Sequence, residues 1–226
     1  MSLENLLVGA KDPSGSKGNA LRKSVFTFNN PTVGTGIALN ADPTAIAETE
    51  ASLIIDIPAA STASVTFLKS LKLTCTANGS AATKASLAFY KDSINRYSSG
   101  GSTLTGVSTS ASSNTSNVGT AQSKVYFGDL IAAAASSAGE DHLFSQLIKS
   151  DTPAVPCFAV GDEFLFETMS VGKGDNNYYD SAGVCASQFK MPMMYLHPGS
   201  SLLVKALFPN QSAAASFEVE VVMYEV

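Results

Sequence analysis

Charge is what this sequence has least of. Only 15% of its 226 residues are Asp, Glu, Lys or Arg, 14 of them cationic and 19 anionic, against the roughly 25% usual for soluble domains. Tryptophan is absent, histidine occurs twice and cysteine three times. Each shortage removes a class of function. With no Lys/Arg-rich run and a formal net charge of −5, the chain lacks the electrostatic footprint of a phosphate-backbone binder, so nucleic acid is not expected as a partner. No window approaches the roughly 18 apolar residues that a spanning helix needs, and no membrane partner is expected. The short apolar run Leu6-Leu7-Val8-Gly9-Ala10 follows Glu4 and Asn5, where a signal peptide would carry its basic region, so none is read there. Cys75, Cys157 and Cys185 are odd in number and widely spaced, which fits buried, reduced thiols in a cytoplasm better than a disulfide framework.

Small neutral residues fill the place of the missing charge. The chain has 31 Ser, 17 Thr and 30 Ala, so hydroxyl side chains alone occupy 48 positions. Hydrophobic residues still make up 45%, enough to bury a core, and the length suits one all-β domain better than two domains.

Along the chain, residues 1–22 read as a flexible arm, because Lys11–Asn19 is dense in turn formers and poor in apolar residues. A single domain over residues 23–226 follows. Val25-Phe26-Thr27-Phe28 begins a period of two. Leu53, Ile55 and Ile57 line one face of a strand, Leu87 and Phe89 one face of another. From Val65 to Cys75, alternation puts Val65, Phe67, Leu71, Leu73 and Cys75 on one side, with a break at Leu68 and Lys69 that predicts a bulge. Ser201–Phe208 and Phe217–Met223 alternate in the same way and read as a pair closing the sheet, with Glu218 and Glu220 facing water. Asp129–Lys149 is the one stretch that argues for helix, through Ala132–Ala135 and the spacing of Leu143, Leu147 and Ile148. Residues 98–123 carry no charge at all and read as a long neutral surface loop holding one weak strand at Thr103–Thr109. The sum is an all-β fold, a jelly-roll or Greek-key sandwich with one or two short connecting helices and a flexible N-terminal arm.

Chemistry-bearing motifs are scarce. His142 and His197 are the only candidate bases of their type, no G-x-S-x-G elbow is present, and Ser14-Gly15-Ser16-Lys17 lacks the companion elements of an S-x-x-K enzyme. No catalytic residue and no cofactor is therefore assigned, and the chain reads as a non-enzyme. Asp175-Asn176-Asn177-Tyr178-Tyr179-Asp180 spaces oxygen donors like the start of a calcium loop, but Asp180 stands where that loop needs Gly and Ala186 where it needs Glu. An Asx-rich hairpin is the simpler reading, with an irregular Ca²⁺ or glycan site at 175–180 left open. Tyr178 and Tyr179, beside those Asx residues, have the side-chain chemistry of a protein interface.

The run His197-Pro198-Gly199-Ser200-Ser201-Leu202-Leu203-Val204, followed by Ser212-Ala213-Ala214-Ala215-Ser216-Phe217-Glu218-Val219-Glu220-Val221, resembles the last strands of jelly-roll virion proteins of tailed bacteriophages. The low-charge, Trp-free composition is similar as well, and the resemblance covers chiefly that C-terminal stretch. It implies a capsid decoration (cement) protein or a related structural virion protein, made in the host cytoplasm and added to the particle. Its implied partners are the major capsid protein and copies of itself, a homotrimer first and a dimer second. Leu6, Leu7 and Val8 of the arm, with Tyr178 and Tyr179, are the candidate interface. The alternative is a host-attachment or carbohydrate-binding jelly roll, such as a head fibre or tail accessory protein.

Overall fold

The computed structural model describes residues 25–40, 45–63, 65–80, 84–108, 120–135, 139–150, 158–168, 176–179, 185–209 and 211–225, the side chains of 150, 176–179 and 185–188 excepted. Every regular element among them is a strand. In chain order these are β1 (Val25–Asn29), β2 (Ile37–Ala38), β3 (Glu50–Asp56), β4 (Thr66–Ala77), β5 (Lys84–Asp92), β6 (Tyr97–Leu104), β7 (Gly106–Ser108) and β8 (Lys124–Ala132). Then follow β9 (Asp141–Ser150), β10 (Glu163–Thr168), β11 (Asn176–Tyr179), β12 (Cys185–Met191), β13 (Met194–Leu196), β14 (Ser201–Leu207) and β15 (Ser216–Glu225).

They form two sheets. One has nine strands, in the order β11-β12-β10-β4-β15-β1-β7 with β13 also on β4 and β2 also on β15; the other has six, in the order β6-β8-β3-β14-β5-β9. Pairing is antiparallel except for β10 with β12. The inner faces share one core, to which Leu53, Ile55, Phe89 and Phe127 come from the six-stranded sheet and Phe28, Leu71, Phe166 and Val221 from the other. This is a sandwich, built as period-two alternation dictates. β15 shows it most cleanly: Phe217, Val219, Val221 and Met223 are buried, Glu220 is exposed and Glu218 half-buried. Phe158 sits edge-on to Phe164, Phe208 and Phe217 at 5.0–5.7 Å between centroids, a geometry that adds to the apolar burial of the rings.

The bulge expected near Leu68 and Lys69 is present. Met223 pairs with Leu68 and Val222 with Ser70, leaving Lys69 unpaired by β15. Its consequence reaches further than the alternation suggested. Parity reverses across the extra residue, so Thr66 and Leu68 point inward, while half-buried Phe67 packs edge-on to Tyr195 outside, 5.0 Å between centroids.

Three expectations are corrected. The described residues of Asp129–Lys149 include no helix: β8 runs to Ala132 and β9 begins at Asp141. The neutral run is not one long loop, because β6 and β7 occupy 97–104 and 106–108; residues 109–119 lie outside the described residues. Nor do β14 and β15 pair, since β14 lies between β3 and β5 in one sheet and β15 between β4 and β1 in the other. The N-terminal arm at 1–22, and with it the domain boundary, falls outside the described residues.

Candidate functional site

The outer face of the six-stranded sheet carries the densest grouping of polar chemistry among the described residues. Strand register lines up Thr103, Tyr126, Ile54, Leu203, Tyr90 and His142 in one row across all six strands. Ile54 and Leu203 are fully buried although they face away from the main core, and with Ala51, Leu130 and Ala132 they make a second small core. Tyrosines flank it. Tyr126 stacks on Tyr97 with 3.5 Å between centroids, and Tyr90 stacks on His142 at 4.8 Å.

Beside the rings lies a set of buried charges. The Arg96 side chain is fully buried, and its Nη1 donates to Asp92 Oδ2 at 2.8 Å, its Nε to the Ala133 carbonyl at 2.7 Å and its Nη2 to the Glu48 carbonyl at 3.0 Å. The Arg96 backbone N–H reaches Asp56 Oδ1 at 3.1 Å and the Ser201 hydroxyl at 3.0 Å, while Asp56 Oδ2 accepts from the Tyr97 N–H at 3.1 Å. Lys205 Nζ donates to the carbonyls of Ala47 and Glu48 and to Glu140 Oε1, and lies 5.0 Å from the Tyr90 ring centre. Burial pulls the Lys205 ammonium below its ordinary pKa, and its hydrogen bond to Glu140 opposes that pull. Glu140 Oε2 has no hydrogen-bond partner and stands 3.8 Å from Arg96 Nη1.

This cluster clamps backbone. Its cations are spent on carbonyls of residues 47, 48 and 133, segments without strand structure of their own, and so fix those segments over the sheet. A buried charge persists only when paired and hydrogen-bonded, which is the condition met here. The lone arginine between Asp92 and the uncharged run was the available sequence signal, and it was not singled out. Asp92, Asp56, Glu140 and Lys205 carried none.

A different surface follows from the uncharged run. Among the described residues, β6 is one edge of the six-stranded sheet and β7 one edge of the nine-stranded one. Residues 97–108 thus form one lateral wall of the sandwich, and Ser98, Ser99, Gly100, Gly101, Thr103 and Val107 on it are exposed. The far end of the run is pinned by Glu225, whose carboxylate accepts from the N–H groups of Gln122 and Ser123 and from the Ser123 hydroxyl at 2.6–3.0 Å. On the opposite sheet a shallow open cleft of about 190 Å³ borders Val33, Lys72, Glu218 and Glu220. Two of its charged groups have partners: Lys72 bonds Glu163 at 2.8 Å, and Glu218 accepts from the Gly34 N–H.

The residues singled out from sequence are scattered. Tyr178 and Tyr179 lie on β11, at the edge of the nine-stranded sheet, paired with Ala186 and Cys185; they sit on a strand, not in a turn. Asp175 and Asp180 fall outside the described residues, as do Leu6, Leu7, Val8 and the Ser14–Lys17 motif. His142 is on β9, not on a helix, and His197 stands in a turn where its backbone bonds the Ser200 hydroxyl at both N–H and carbonyl. The buried Cys75 thiol is pushed up to about 11, first by burial and second by the nearby Asp162 charge, which makes it a poor nucleophile at neutral pH. Among the described residues no three His, Cys, Asp or Glu side chains are grouped to hold a metal ion. Compared with protein-family models and with curated protein sequences, the chain matches none.

Proposed function

We propose that this chain is a non-enzymatic structural protein of a virion, most specifically a decoration protein that binds and stabilises the head of a tailed bacteriophage. The observation that carries the reading is the charge-free lateral wall: a surface of Ser, Gly and Thr spanning the edges of both sheets, which can approach another protein closely without desolvating charge. The likeness of the C-terminal strands to those of jelly-roll virion proteins supports it. Jelly-roll topology belongs to the same proposal. Its support is that the last two strands lie between early ones, β14 beside β3 and β5, and β15 beside β1 and β4, as a chain folding on itself as a long hairpin requires. The major capsid protein is the proposed partner, met by residues 1–22 and the neutral wall.

Purified protein added to heads that lack it should bind in a fixed ratio and raise their resistance to heat. A version lacking residues 1–22 should stay folded and lose that binding. Full occupancy by the truncated chain would refute the arm's role. Binding of the isolated protein to host cells or to a glycan array, with bare heads left unbound, would replace the decoration reading by the attachment one.

A further inference from the structure

We propose that two copies of this chain pair through β9, edge to edge and antiparallel about a two-fold axis at Ser145, joining their six-stranded sheets into one. β9 ends the sheet order, and among the described residues no strand covers its outer edge. At ten residues it is the longest edge strand, about 33 Å of backbone at about 3.3 Å per residue. The other edges are poorer templates. β7 and β11 have three and four residues, and β6, with eight, carries Gly100 and Gly101 at positive φ in its middle.

Natural edges are usually blunted by charge or proline. β9 has neither in its interior: His142 to Ile148 contains no Asp, Glu, Lys, Arg or Pro, and Leu147 is 51% exposed. Its charges stand at the two ends and are opposite in sign, Asp141 at one and Lys149 at the other. That arrangement is self-complementary for an antiparallel copy.

The register follows from symmetry. Hydrogen-bonded and non-hydrogen-bonded pairs alternate along an antiparallel ladder, so a two-fold axis must set one residue opposite itself. With Ser145 on the axis, Asp141 of each copy meets Lys149 of the other, Leu143 meets Leu147, and Phe144 meets Gln146. With Gln146 there, Lys149 would meet Leu143 and Asp141 would have no partner within β9. With Phe144 there, Asp141 would meet Leu147. Ser145 and its neighbours also fall in the regular stretch of β9, between its register steps against β5 at Leu143 and Ile148. The pair Asp141 makes within its own chain, with Lys91 at 3.6 Å, is loose and exposed; Lys149 is already bonded to the buried Asp162 at 2.8 Å, so Asp141 of the second copy would join that pair.

The pairing does not depend on the virion reading, since a chain that pairs this way and leaves capsids bare would retain it. It takes the dimer over the trimer expected from sequence. Sedimentation of the full chain should show a dimer, and Ser145→Lys, which sets two ammonium groups face to face on an exposed position, should raise the dissociation constant at least about tenfold with an unchanged circular dichroism spectrum. Ser145→Cys, oxidised, should give a covalent dimer whose peptide map joins two copies of the peptide holding position 145. Directly opposed Cα atoms, roughly 4.5–5.5 Å apart, fall within disulfide range. A wild-type monomer at about 100 µM, association unaltered by Ser145→Lys, or an oligomer in which those peptides stay unlinked would overturn it.

Discussion

Replacing Arg96 by methionine removes the cation of the buried clamp while keeping most of its volume. Asp92, whose side chain is fully buried, then loses a 2.8 Å ion pair, and the carbonyls of Ala133 and Glu48 lose donors at 2.7 and 3.0 Å. Breaking a buried pair from one side costs about 3–5 kcal/mol, because the remaining charge is left uncompensated. The orphaned Ala133 carbonyl pushes the expected loss toward the upper end, while the Glu48 carbonyl keeps its bond from Lys205 Nζ. For a chain of this size, at roughly 2–4 °C per kcal/mol, the melting temperature should fall by roughly 6–20 °C. Equilibrium unfolding in guanidinium chloride measures the loss directly, and because tryptophan is absent, tyrosine emission, with stacked Tyr97 and Tyr126 among the reporters, follows the transition.

The second half of the test separates charge from packing. Adding Asp92→Asn to Arg96→Met removes the uncompensated anion, so the double variant should recover at least about 1 kcal/mol relative to the single one. A merely volumetric role for Arg96 predicts no recovery. A loss below about 1 kcal/mol in Arg96→Met, with an unchanged denaturant slope, would refute the clamp.

Three further expectations rest on single residues. Because Cys75 ionises near 9.0 when unfolded and at about 11 when folded, the native state holds its proton through that window. The stability this thiol contributes is therefore fully present below about pH 9 and lost as pH rises toward 11, by about 2–3 kcal/mol; denaturation midpoints at stepped pH should fall more steeply in the wild type than in Cys75→Ala, where the shifted Tyr90, Tyr126 and Lys205 remain. Gly101 has φ +57°, and an added Cβ would lie 2.6 Å from the Phe127 carbonyl oxygen and 2.3 Å from Leu130 Cδ2. Gly101→Ala should cost at least about 1–2 kcal/mol by thermal melting, whereas Gly139→Ala, with φ +75° and open space around it, should cost about 1 kcal/mol from backbone strain alone. Glu225→Gln weakens the acceptor of the Gln122 and Ser123 donors, and should cost about 1.5–3 kcal/mol and speed hydrogen exchange at those two amides; unchanged exchange there would show the anchor to be idle.

Alternation read the core strands correctly where the strand itself carries no extra residue, as at Leu53-Ile55-Ile57, Leu87-Phe89 and Phe217–Met223. It failed where bulges alter the period. β9 has two residues, Leu143 and Ile148, that β5 does not pair, and each extra residue shifts parity. Leu143, Leu147 and Ile148 are left at a spacing that imitates a helix face. In β6 the cause was composition, because glycine disfavours strands in general, yet Gly100 and Gly101 occupy positive-φ positions where β6 approaches β8 so closely that a side chain would strike backbone. The separation of β14 from β15 escaped notice because eight residues, 208–215, suffice either for a hairpin loop or for a crossing between sheets. The clamp was illegible for another reason. Asp92 and Arg96 are only four residues apart, but Glu140 and Lys205 are distant in sequence and reach them through the register of β5, β9 and β14.

The scarcity of charge has a structural counterpart in where the remaining charges are placed. Asp56, Asp92, Arg96, Asp162, Lys205 and Glu225 are all buried, so the exterior is poorer in charge than the composition indicates. Burying them carries a desolvation cost that apolar residues would avoid. What they do in return is hold irregular backbone: Arg96 and Lys205 bind residues 47, 48 and 133, Glu225 binds 122 and 123, and Asp162 binds Lys149 and the Ala159 N–H. Connections tied from within need no ion pairs on their outer side. The outer side is thereby free to be Ser, Thr, Gly and Ala, which have little or no side-chain entropy to lose on contact and no charge to desolvate. A neutral exterior and a charged interior are in this fold one arrangement, and it favours contacts set by shape and backbone over contacts set by ionic strength.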